Sequence, residues 1–470
     1  MVLAEGNQGR DDGSQSSGQP PQFMPAQTQE QQNLRIIFES AMRDPNAQVF
    51  MRSALKRPDL ASEVLKQAMS RPVGQEIVPD EELGNYIVRR NATGQKLGTV
   101  FSTYELPPSD IIRDPAVKEK YRWLEEHCDV VMYTHATPLN ERQLAKVIRD
   151  HEGQIDVVLN FLEKVDGETV AAGARKGVRG FVSCGTGDDM KDKAAAAEAG
   201  IWCTNAPGAL MEPVSEMAAA HTLNMVINLA EGFDDVFYGR QTGCSMEFGR
   251  HKLLAGSKVG FLGLGQVGAY AAAKLAPFIP DKTGGGELLV TDLADASAKI
   301  DVLHGIMKGS TAMKRIVLKD DTIPDPQRPR QVDQETLFRE CDYVIIAVDL
   351  NEKTRGIVGE SSLAAAKEGQ VDINVGRGPL VDRDAMLKAL REGRVHYSTD
   401  VDNDEWVRPS DYYEAAKQGG VVFLQTPHTA SNTPEIRLEA MTGVALDNLI
   451  AILSGQKPPN PRNEPVNLAA

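Results

Sequence analysis

The chain has 470 residues, of which 41% are hydrophobic and 25% charged, so it is long enough for two or three globular domains. Its formal net charge of −15 argues against nucleic acid or an anionic membrane as the main partner, because both select basic surfaces. The five cysteines are scattered without C-x-x-C pairing, which favours buried thiols over disulfides or zinc ligands, and we expect no metal site. No apolar run reaches about 18 residues and the N-terminus lacks a signal-peptide pattern, so we expect a cytoplasmic protein.

Two N-terminal segments differ in composition from the rest of the chain. Residues 1–33 are rich in Gln, Gly, Ser and Pro, and we expect a disordered tail. In residues 34–80 the apolar positions are spaced for short amphipathic helices, broken at Pro45, Pro58 and Pro72. We therefore predict a helical extension, either a docking segment or a part that packs on the main body.

Between residues 81 and 210, short β-rich runs alternate with helical ones. Strands are predicted at 129–133, 155–160 and 180–184, and helices at 141–150, 166–176 and 188–199. Alternation of this kind implies a parallel sheet with helices on both faces. The sequence Gly185-Thr186-Gly187 lies between a strand and a helix, and it is either a second anion-binding loop or a tight turn that lines a cleft.

Residues 259–275 have the pattern of a strand, a glycine-rich turn and a helix. Gly263 can form the tight turn, Gly265 has no Cβ to block a pyrophosphate, and Gly268 lets helix and strand pack closely. Gln266 and Val267 of the turn are candidate cofactor contacts, and the N-terminus of the helix predicted at 269–275 would present free amides and a positive dipole end to an anion. The pattern predicts a dinucleotide site, and the alternative is an ordinary βαβ crossover that binds no nucleotide.

Asp292 strengthens the dinucleotide interpretation. It ends a second predicted strand, 288–291, where a carboxylate can accept both ribose hydroxyls of an adenosine. It would also repel a 2′-phosphate, which favours NAD over NADP. The glycine-rich residues 280–286 are interpreted as a loop insertion between helix and strand.

The elements around this stretch complete the pattern. A helix is predicted from Glu212 to about Ala230, leading towards the turn. Residues 295–333 resemble an insertion that ends in a proline-rich run, for which we expect a loop. Further strands are predicted at 342–348, 371–375, 396–400 and 421–424, and a final helix at 434–453.

Three charged positions follow these late strands, at the edge where open α/β sheets bind ligands. Arg377, flanked by Gly376 and Gly378, can clamp a carboxylate, and it supplies the local cation that an anionic substrate needs in an acidic protein. If Glu405 contacts His428, the carboxylate would orient the imidazole, and a protonated His428 could donate to a carbonyl oxygen. Taken singly, each is more often a solvated loop residue.

Several motifs together resemble the D-isomer-specific 2-hydroxyacid dehydrogenase family from about residue 150 to the end. They are Gly263-x-Gly265-x-x-Gly268 with Asp292, Asn205-Ala206-Pro207-Gly208, Thr354-Arg355-Gly356, the segment 374–382, Asp400 with Glu405, and Pro427-His428. The resemblance implies that Arg377 binds the substrate carboxylate, that His428 is the acid/base, and that Glu405 is its partner. It also implies that Asp400 contacts the nicotinamide amide. The loop at Asn160 and Phe161 lies where the family binds substrate through backbone amides.

The predicted fold is α/β, with a Rossmann NAD-binding domain at 211–427 inserted into a flavodoxin-like substrate domain at 81–210 that is completed by 428–470. The predicted activity is NAD-dependent hydride transfer to or from C2 of a small 2-hydroxy or 2-oxo acid. The alternatives are an NAD(H)-sensing corepressor-like scaffold on the same fold and a formate or phosphite dehydrogenase. Family resemblance implies a homodimer, with 212–230 as a candidate interface helix, although a buried intramolecular helix fits equally well.

Overall fold

The computed structural model describes residues 75–80, 84–94, 96–133, 139–161, 163–187, 189–239, 252–283, 285–402 and 410–466. All described residues lie in one compact unit, 72–470. The predicted tail at 1–33, and the predicted helical extension as far as residue 74, lie outside the described residues.

The first half of the described chain forms a seven-stranded sheet with its helices. The strands are β1 (Gln75–Asp80), β2 (Gly84–Arg89), β3 (Gly98–Ser102), β4 (Cys128–Tyr133), β5 (Val157–Asn160), β6 (Gly180–Ser183) and β7 (Trp202–Thr204). The helices are α1 (Pro115–His127), α2 (Glu141–Asp150), α3 (Gly167–Lys176) and α4 (Lys193–Glu198), with a 3₁₀ turn at Ser109–Ile111.

The strand order of this sheet is β1-β2-β4-β3-β5-β6-β7. The last five positions are parallel and repeat the 2-1-3-4-5 order of flavodoxin-like folds. Strands β1 and β2 add an antiparallel edge, with Ile77 opposite Ile87. Because Gln75–Asp80 forms a strand, the helical prediction for 34–80 is wrong at its C-terminal end: backbone pairing with β2 satisfies these amides and carbonyls.

The second half forms another seven-stranded sheet. Its strands are β8 (Lys258–Leu262), β9 (Glu287–Thr291), β10 (Arg330–Gln331), β11 (Tyr343–Ile346), β12 (Gln370–Asn374), β13 (Val395–Thr399) and β14 (Phe423–Gln425). Its helices are α5 (Met211–Ile227), α6 (Leu229–Phe237), α7 (Gln266–Leu275), α8 (Ser297–Leu318), α9 (Gln334–Glu340), α10 (Glu360–Ala365), α11 (Arg383–Arg391) and α12 (Ser410–Gly419). Short 3₁₀ turns occur at Ala276–Phe278 and Gly378–Leu380.

This second sheet is parallel throughout, in the order β10-β9-β8-β11-β12-β13-β14. It is the doubly wound Rossmann order, and the strand order reverses between β8 and β11. Apolar clusters cover both faces, one with Val259 and Ile345, the other with Leu262 and Ile346. Burial on both faces explains why these strands are nearly continuous apolar runs.

The C-terminal segment returns to the first sheet. A π-helical segment, Glu435–Met441, leads into α13 (Thr442–Leu453). Leu446 and Leu449 of α13 are buried in one cluster with Val100 and Val157 of the first sheet. The predicted completion of the first domain by 428–470 has this packing as support, while the exact domain boundaries stay a prediction.

The segment 295–333, interpreted from the sequence as an insertion that ends in a proline-rich loop, contains regular structure before that loop. Most of this segment is the 22-residue helix α8, which crosses from β9 to the short edge strand β10. Ile300, Leu303 and Met307 of α8 are buried against the sheet at helical spacing. The proline-rich run after α8 lies in the link to β10, so the loop is confined to that run.

Among the described residues, no helix is both long and apolar enough to cross a bilayer. Cys128, Cys184, Cys203 and Cys341 are buried free thiols, and Cys244 lies outside the described residues.

Candidate active site

The predicted site residues that the structure describes follow strands of the second sheet or lie in loops of the first. Gly263 follows β8, Asp292 follows β9, Arg377 follows β12 and Asp400 follows β13, while His428 comes three residues after β14. Because all seven strands are parallel, their carboxyl ends meet at one edge, where ligands bind in doubly wound folds.

The three glycines after β8 have distinct environments. Gly263 has a φ of 94°, in the left-handed region, and its amide donates to the Thr291 carbonyl at 2.8 Å. A Cβ on Gly268 would lie 2.1 Å from the Gly263 carbonyl oxygen, so this position requires glycine for close packing. A Cβ on Gly265 would meet no atom within 4 Å, which leaves open space at the start of helix α7.

This geometry fits a dinucleotide phosphate. Gly265 is the N-cap of α7, and no side chain caps the first amides of that helix. Gln266 and Val267 form its first turn, where amides without intrahelical partners and the helix dipole favour an anion. Among the described residues, no group of three or more His, Cys, Asp or Glu side chains could hold a metal ion.

Asp292 braces the glycine turn. One carboxylate oxygen accepts the Leu264 amide at 2.7 Å, and the other accepts the Ala294 amide at 2.9 Å. A carboxylate oxygen can accept more than one hydrogen bond, so these contacts leave capacity for ribose hydroxyls. The position of Asp292 is therefore compatible with the predicted contact to the cofactor ribose.

The loop that carries Arg377 is shaped by Asn374. The Asn374 side chain donates to the Arg377 carbonyl at 2.9 Å and accepts the Gly376 amide at 3.1 Å. The guanidinium group donates from Nη1 to the Gly376 carbonyl at 2.9 Å and from Nε to the Asp189 carboxylate at 3.4 Å. Asp189 belongs to the loop after β6, so this contact joins the two sheets' loops.

His428 has a strained backbone. Its φ is 50°, in the left-handed region that residues other than glycine seldom adopt. Its amide donates to the carbonyls of Asp400 at 2.9 Å and Thr426 at 3.0 Å, which hold this conformation. Strain held by surrounding bonds is typical of functional loops. Its predicted partner Glu405 lies outside the described residues.

Asp400 organises the segment that contains His428. Its carboxylate accepts the Thr426 hydroxyl at 2.5 Å, the Thr429 amide at 3.0 Å and the Ala430 amide at 3.1 Å. Asp400 is buried, so these bonds replace water. The structure thus places the Asp400 carboxylate beside the backbone that follows His428, and the catalytic and cofactor roles of the two residues stay predictions.

His221, on α5, extends this network, and the sequence interpretation missed it. Its Nε2 lies 2.9 Å from the Thr426 hydroxyl and its Nδ1 lies 2.6 Å from the Ser398 hydroxyl. The single Thr426 proton goes to the Asp400 carboxylate, so Nε2 must donate to Thr426 and Nδ1 must accept from Ser398. Burial lowers the pKa of His221, which favours this neutral form.

The predicted substrate loop after β5 is held within the first sheet. Asn160 is buried and its side chain donates to the Glu163 carbonyl at 3.3 Å, while the Phe161 amide donates to the Glu163 carboxylate at 2.8 Å. The guanidinium carbon of Arg437 lies 4.8 Å from the centre of the Phe161 ring. Substrate contacts of Asn160 and Phe161 stay predictions, and Arg437 is a neighbouring cation that sequence reasoning missed.

The missed residues share one property. Each contacts a residue that is distant in the sequence. His221 bonds Thr426, 205 positions away, and Asp189 bonds Arg377, 188 positions away. Neither residue lies in a motif with chemical meaning at short spacing. One signal was available: His221 lies at helical spacing from Ala218 and Met225, so it falls on the buried face of its helix.

The profile of the D-isomer specific 2-hydroxyacid dehydrogenase NAD binding domain family matches residues 306–430. A glyoxylate reductase from Thermofilum pendens is 29% identical over 339 residues, covering 72% of this chain and 88% of that protein. A glyoxylate/hydroxypyruvate reductase B from Erwinia tasmaniensis is 28% identical, covering 75% of this chain and 97% of that protein.

Solved structures share the fold. The D-lactate dehydrogenase from Aquifex aeolicus, solved with NAD and lactic acid, superposes with a TM-score of 0.57 at 19% identity. The match covers 78% of this chain and 100% of that one.

Proposed function

Since the chain belongs to the D-isomer-specific 2-hydroxyacid dehydrogenase family, we propose that it is an NAD-dependent oxidoreductase. It transfers a hydride between nicotinamide and C2 of a 2-hydroxy or 2-oxo acid. The observation that supports this most strongly is the placement of Arg377, Asp400 and His428 at the carboxyl edge that also bears the open Gly265 turn.

Each side chain has a role that its surroundings support. Arg377 binds the substrate carboxylate and polarises the 2-oxo group, because its guanidinium is held by the loop and carries a fixed charge. His428 gives its proton to the carbonyl oxygen in reduction and takes one from the hydroxyl in oxidation. Asp400 holds the backbone on the C-terminal side of His428 and accepts the nicotinamide amide. NAD, when bound, supplies or accepts the hydride.

The predicted cofactor site implies a preference for NADH over NADPH that binding measurements can test. Asp292 stands where a 2′-phosphate would approach, and like charges repel in this partly buried setting. We therefore expect tighter binding of NADH than of NADPH. Replacing Asp292 with Asn should narrow the difference, whereas tighter binding of NADPH by the unmodified protein would contradict the role of Asp292.

Small 2-oxo acids are the first substrates to test, because the curated relatives are named for glyoxylate and hydroxypyruvate. NADH oxidation would be followed with glyoxylate, hydroxypyruvate, pyruvate and bulkier 2-oxo acids, then repeated with NADPH. We expect turnover with at least one small 2-oxo acid. Absence of turnover across the panel, together with NADH-dependent capture of a partner, would favour a sensing scaffold instead.

A homodimer is also part of the proposal. Helix α5, within the predicted interface segment, buries Ala218 and Met225 in its own core. Helix α6 instead exposes the stacked rings of Phe233 and Phe237, 64% and 68% exposed, and this apolar face suits a second copy. Light scattering should give twice the chain mass, and Phe233→Ser should lower it.

A cytoplasmic location is the last part of the proposal. The four cysteines of the described residues are free thiols, the state that a reducing compartment maintains. Cell fractionation would test this location.

A further inference from the structure

The guanidinium group of Arg377 meets a loop that comes from the other sheet. This loop follows β6 and contains Gly185, Gly187 and Asp189. The Asp189 carboxylate accepts Nε of Arg377 at 3.4 Å. A Cβ on Gly187 would lie 1.9 Å from Nη2 and 3.0 Å from the guanidinium carbon. The group therefore lies directly against a position that has no side chain.

These contacts use two of the five N–H groups of the Arg377 side chain. Nε is bonded to Asp189, and Nη1 is bonded to the Gly376 carbonyl at 2.9 Å. Among the described residues, no hydrogen bond from Nη2 is found, and Nη2 sits over Gly187. The orientation of the guanidinium plane is thus fixed by two hydrogen bonds, and the remaining N–H groups, one on Nη1 and two on Nη2, are the donors that can bind a ligand.

The ion pair itself adds little stability. The side chains of Arg377 and Asp189 are 32% and 20% exposed, and water screens the attraction between partly hydrated charges. Its consequence is geometric, since a long, flexible side chain is held in one rotamer by a partner from another part of the fold.

We propose that Gly187 and Asp189 together hold the Arg377 guanidinium in the orientation that binds substrate. The anion site then depends on contact between a loop of the first sheet and a loop of the second. Asp189 and Gly187 are positioning residues: neither contacts substrate, and both act through the guanidinium. The proposal rests on the proposed function, in which Arg377 binds the substrate carboxylate. It also gives a purpose to the second glycine-containing loop, which holds the cation rather than binding the anion itself.

Two glycines of the same loop provide a matched comparison. Neither Gly185 nor Gly187 has a positive φ, so alanine fits the backbone at both. At Gly185 the new methyl would meet its nearest atom at 3.6 Å, an ordinary contact. At Gly187 it would displace the end of the Arg377 side chain, which can move without unfolding the protein.

We expect Gly187→Ala to lower kcat/KM for the 2-oxo acid on the order of 10- to 100-fold, as small misplacements of a binding group do. Its Kd for NADH and its Tm should match those of the unmodified protein. Gly185→Ala should match the unmodified protein in all three measurements. Equal kinetics for the two alanine variants would overturn the proposal.

Substitutions of Asp189 test whether its carboxylate orients Arg377 or instead competes with the substrate carboxylate for Arg377. Asp189→Asn keeps an oxygen that can accept Nε, so it should lose less activity than Asp189→Ala, and both should raise KM for the 2-oxo acid. A lower KM in Asp189→Ala would mean that Asp189 blocks Arg377 instead of seating it, and would contradict the inference. The proposed function fails separately, if the unmodified protein turns over no 2-oxo acid at all.

Discussion

Gly265 and Gly268 are required for different reasons: we expect Gly265 to matter for cofactor binding and Gly268 for folding. A methyl group on Gly265 meets nothing in the protein, whereas one on Gly268 would lie 2.1 Å from the carbonyl oxygen of Gly263. We expect Gly265→Ala to keep its Tm and to weaken NADH binding at least about tenfold, because the methyl fills the space for a pyrophosphate. Gly268→Ala should instead lower Tm. Fluorescence titration with NADH and thermal melts would check both, and undiminished NADH binding in Gly265→Ala would place the phosphates elsewhere.

Asp372 is a single residue that opposes stability. It is fully buried in β12, and neither carboxylate oxygen has a hydrogen-bond partner among the described residues. Burial raises the pKa of Asp372 to about 8, far above that of the unfolded chain. Between about pH 4 and pH 8 the folded state therefore holds one more proton than the unfolded state. The free energy of unfolding falls by up to ~1.4 kcal/mol per pH unit over this window and levels off above it.

Replacing Asp372 with Val should remove this slope, because valine suits a buried strand and carries no charge. We expect a clear gain in Tm at pH 8 and a small change at pH 5. As a control, Asp342 is bonded to the Lys258 amide at 2.9 Å and to Lys367 at 3.1 Å, so Asp342→Val should destabilise at pH 8. An Asp372→Val protein with an unchanged dependence of Tm on pH would contradict the account.

At the scale of elements, one hydroxyl joins helix α5 to strands β13 and β14. Thr426 accepts from His221 and donates to Asp400, which in turn holds the backbone beside His428. Thr426→Val keeps the shape and removes both bonds, one of them to a charged group and worth roughly 1.5–3 kcal/mol. We expect kcat to fall about tenfold or more.

Thr426→Ser retains the hydroxyl and should keep most of the activity. Thr222→Val is a matched control beside His221, since within the described part of the chain the Thr222 hydroxyl donates only to the carbonyl of Ala218 in its own helix, at 2.7 Å. The pH profile of kcat should shift in Thr426→Val and stay fixed in Thr222→Val. If serine at position 426 is as damaging as valine, the methyl group and not the hydroxyl is what matters.

Local patterns predicted most elements but not their long-range contacts. The strand at 259–262 and the helix after it were predictable, because continuous apolar residues, glycines and alanines each favour one local structure. Helix α8 was not predicted, because the segment 295–333 was interpreted as an insertion, and the prolines from which a loop was predicted lie beyond the end of the helix. Strand β1 depends on pairing with β2, which no periodicity within Gln75–Asp80 reveals.

For the molecule as a whole, the candidate site lies where a loop of the second sheet contacts a loop of the first, through Arg377 and Asp189. The motifs after β8 to β14 predict the cofactor half of the candidate site, because each proposed role depends on the residue type at a strand end. The contributions of Asp189 and His221 could not be predicted, because they depend on how distant elements pack. The side chains of the first sheet's loops show no pattern that would predict which 2-oxo acid is the substrate.

Transfer of label from NADH deuterated at C4 to the 2-oxo acid tests the central claim most directly. With a small 2-oxo acid such as glyoxylate, the unmodified protein should give a 2-hydroxy acid with deuterium at C2, seen by mass spectrometry. His428→Ala should bind NADH, as measured by fluorescence, and form no labelled product above background. Undiminished labelling by His428→Ala, or no labelling by the unmodified protein with any acid of the panel, would contradict the account.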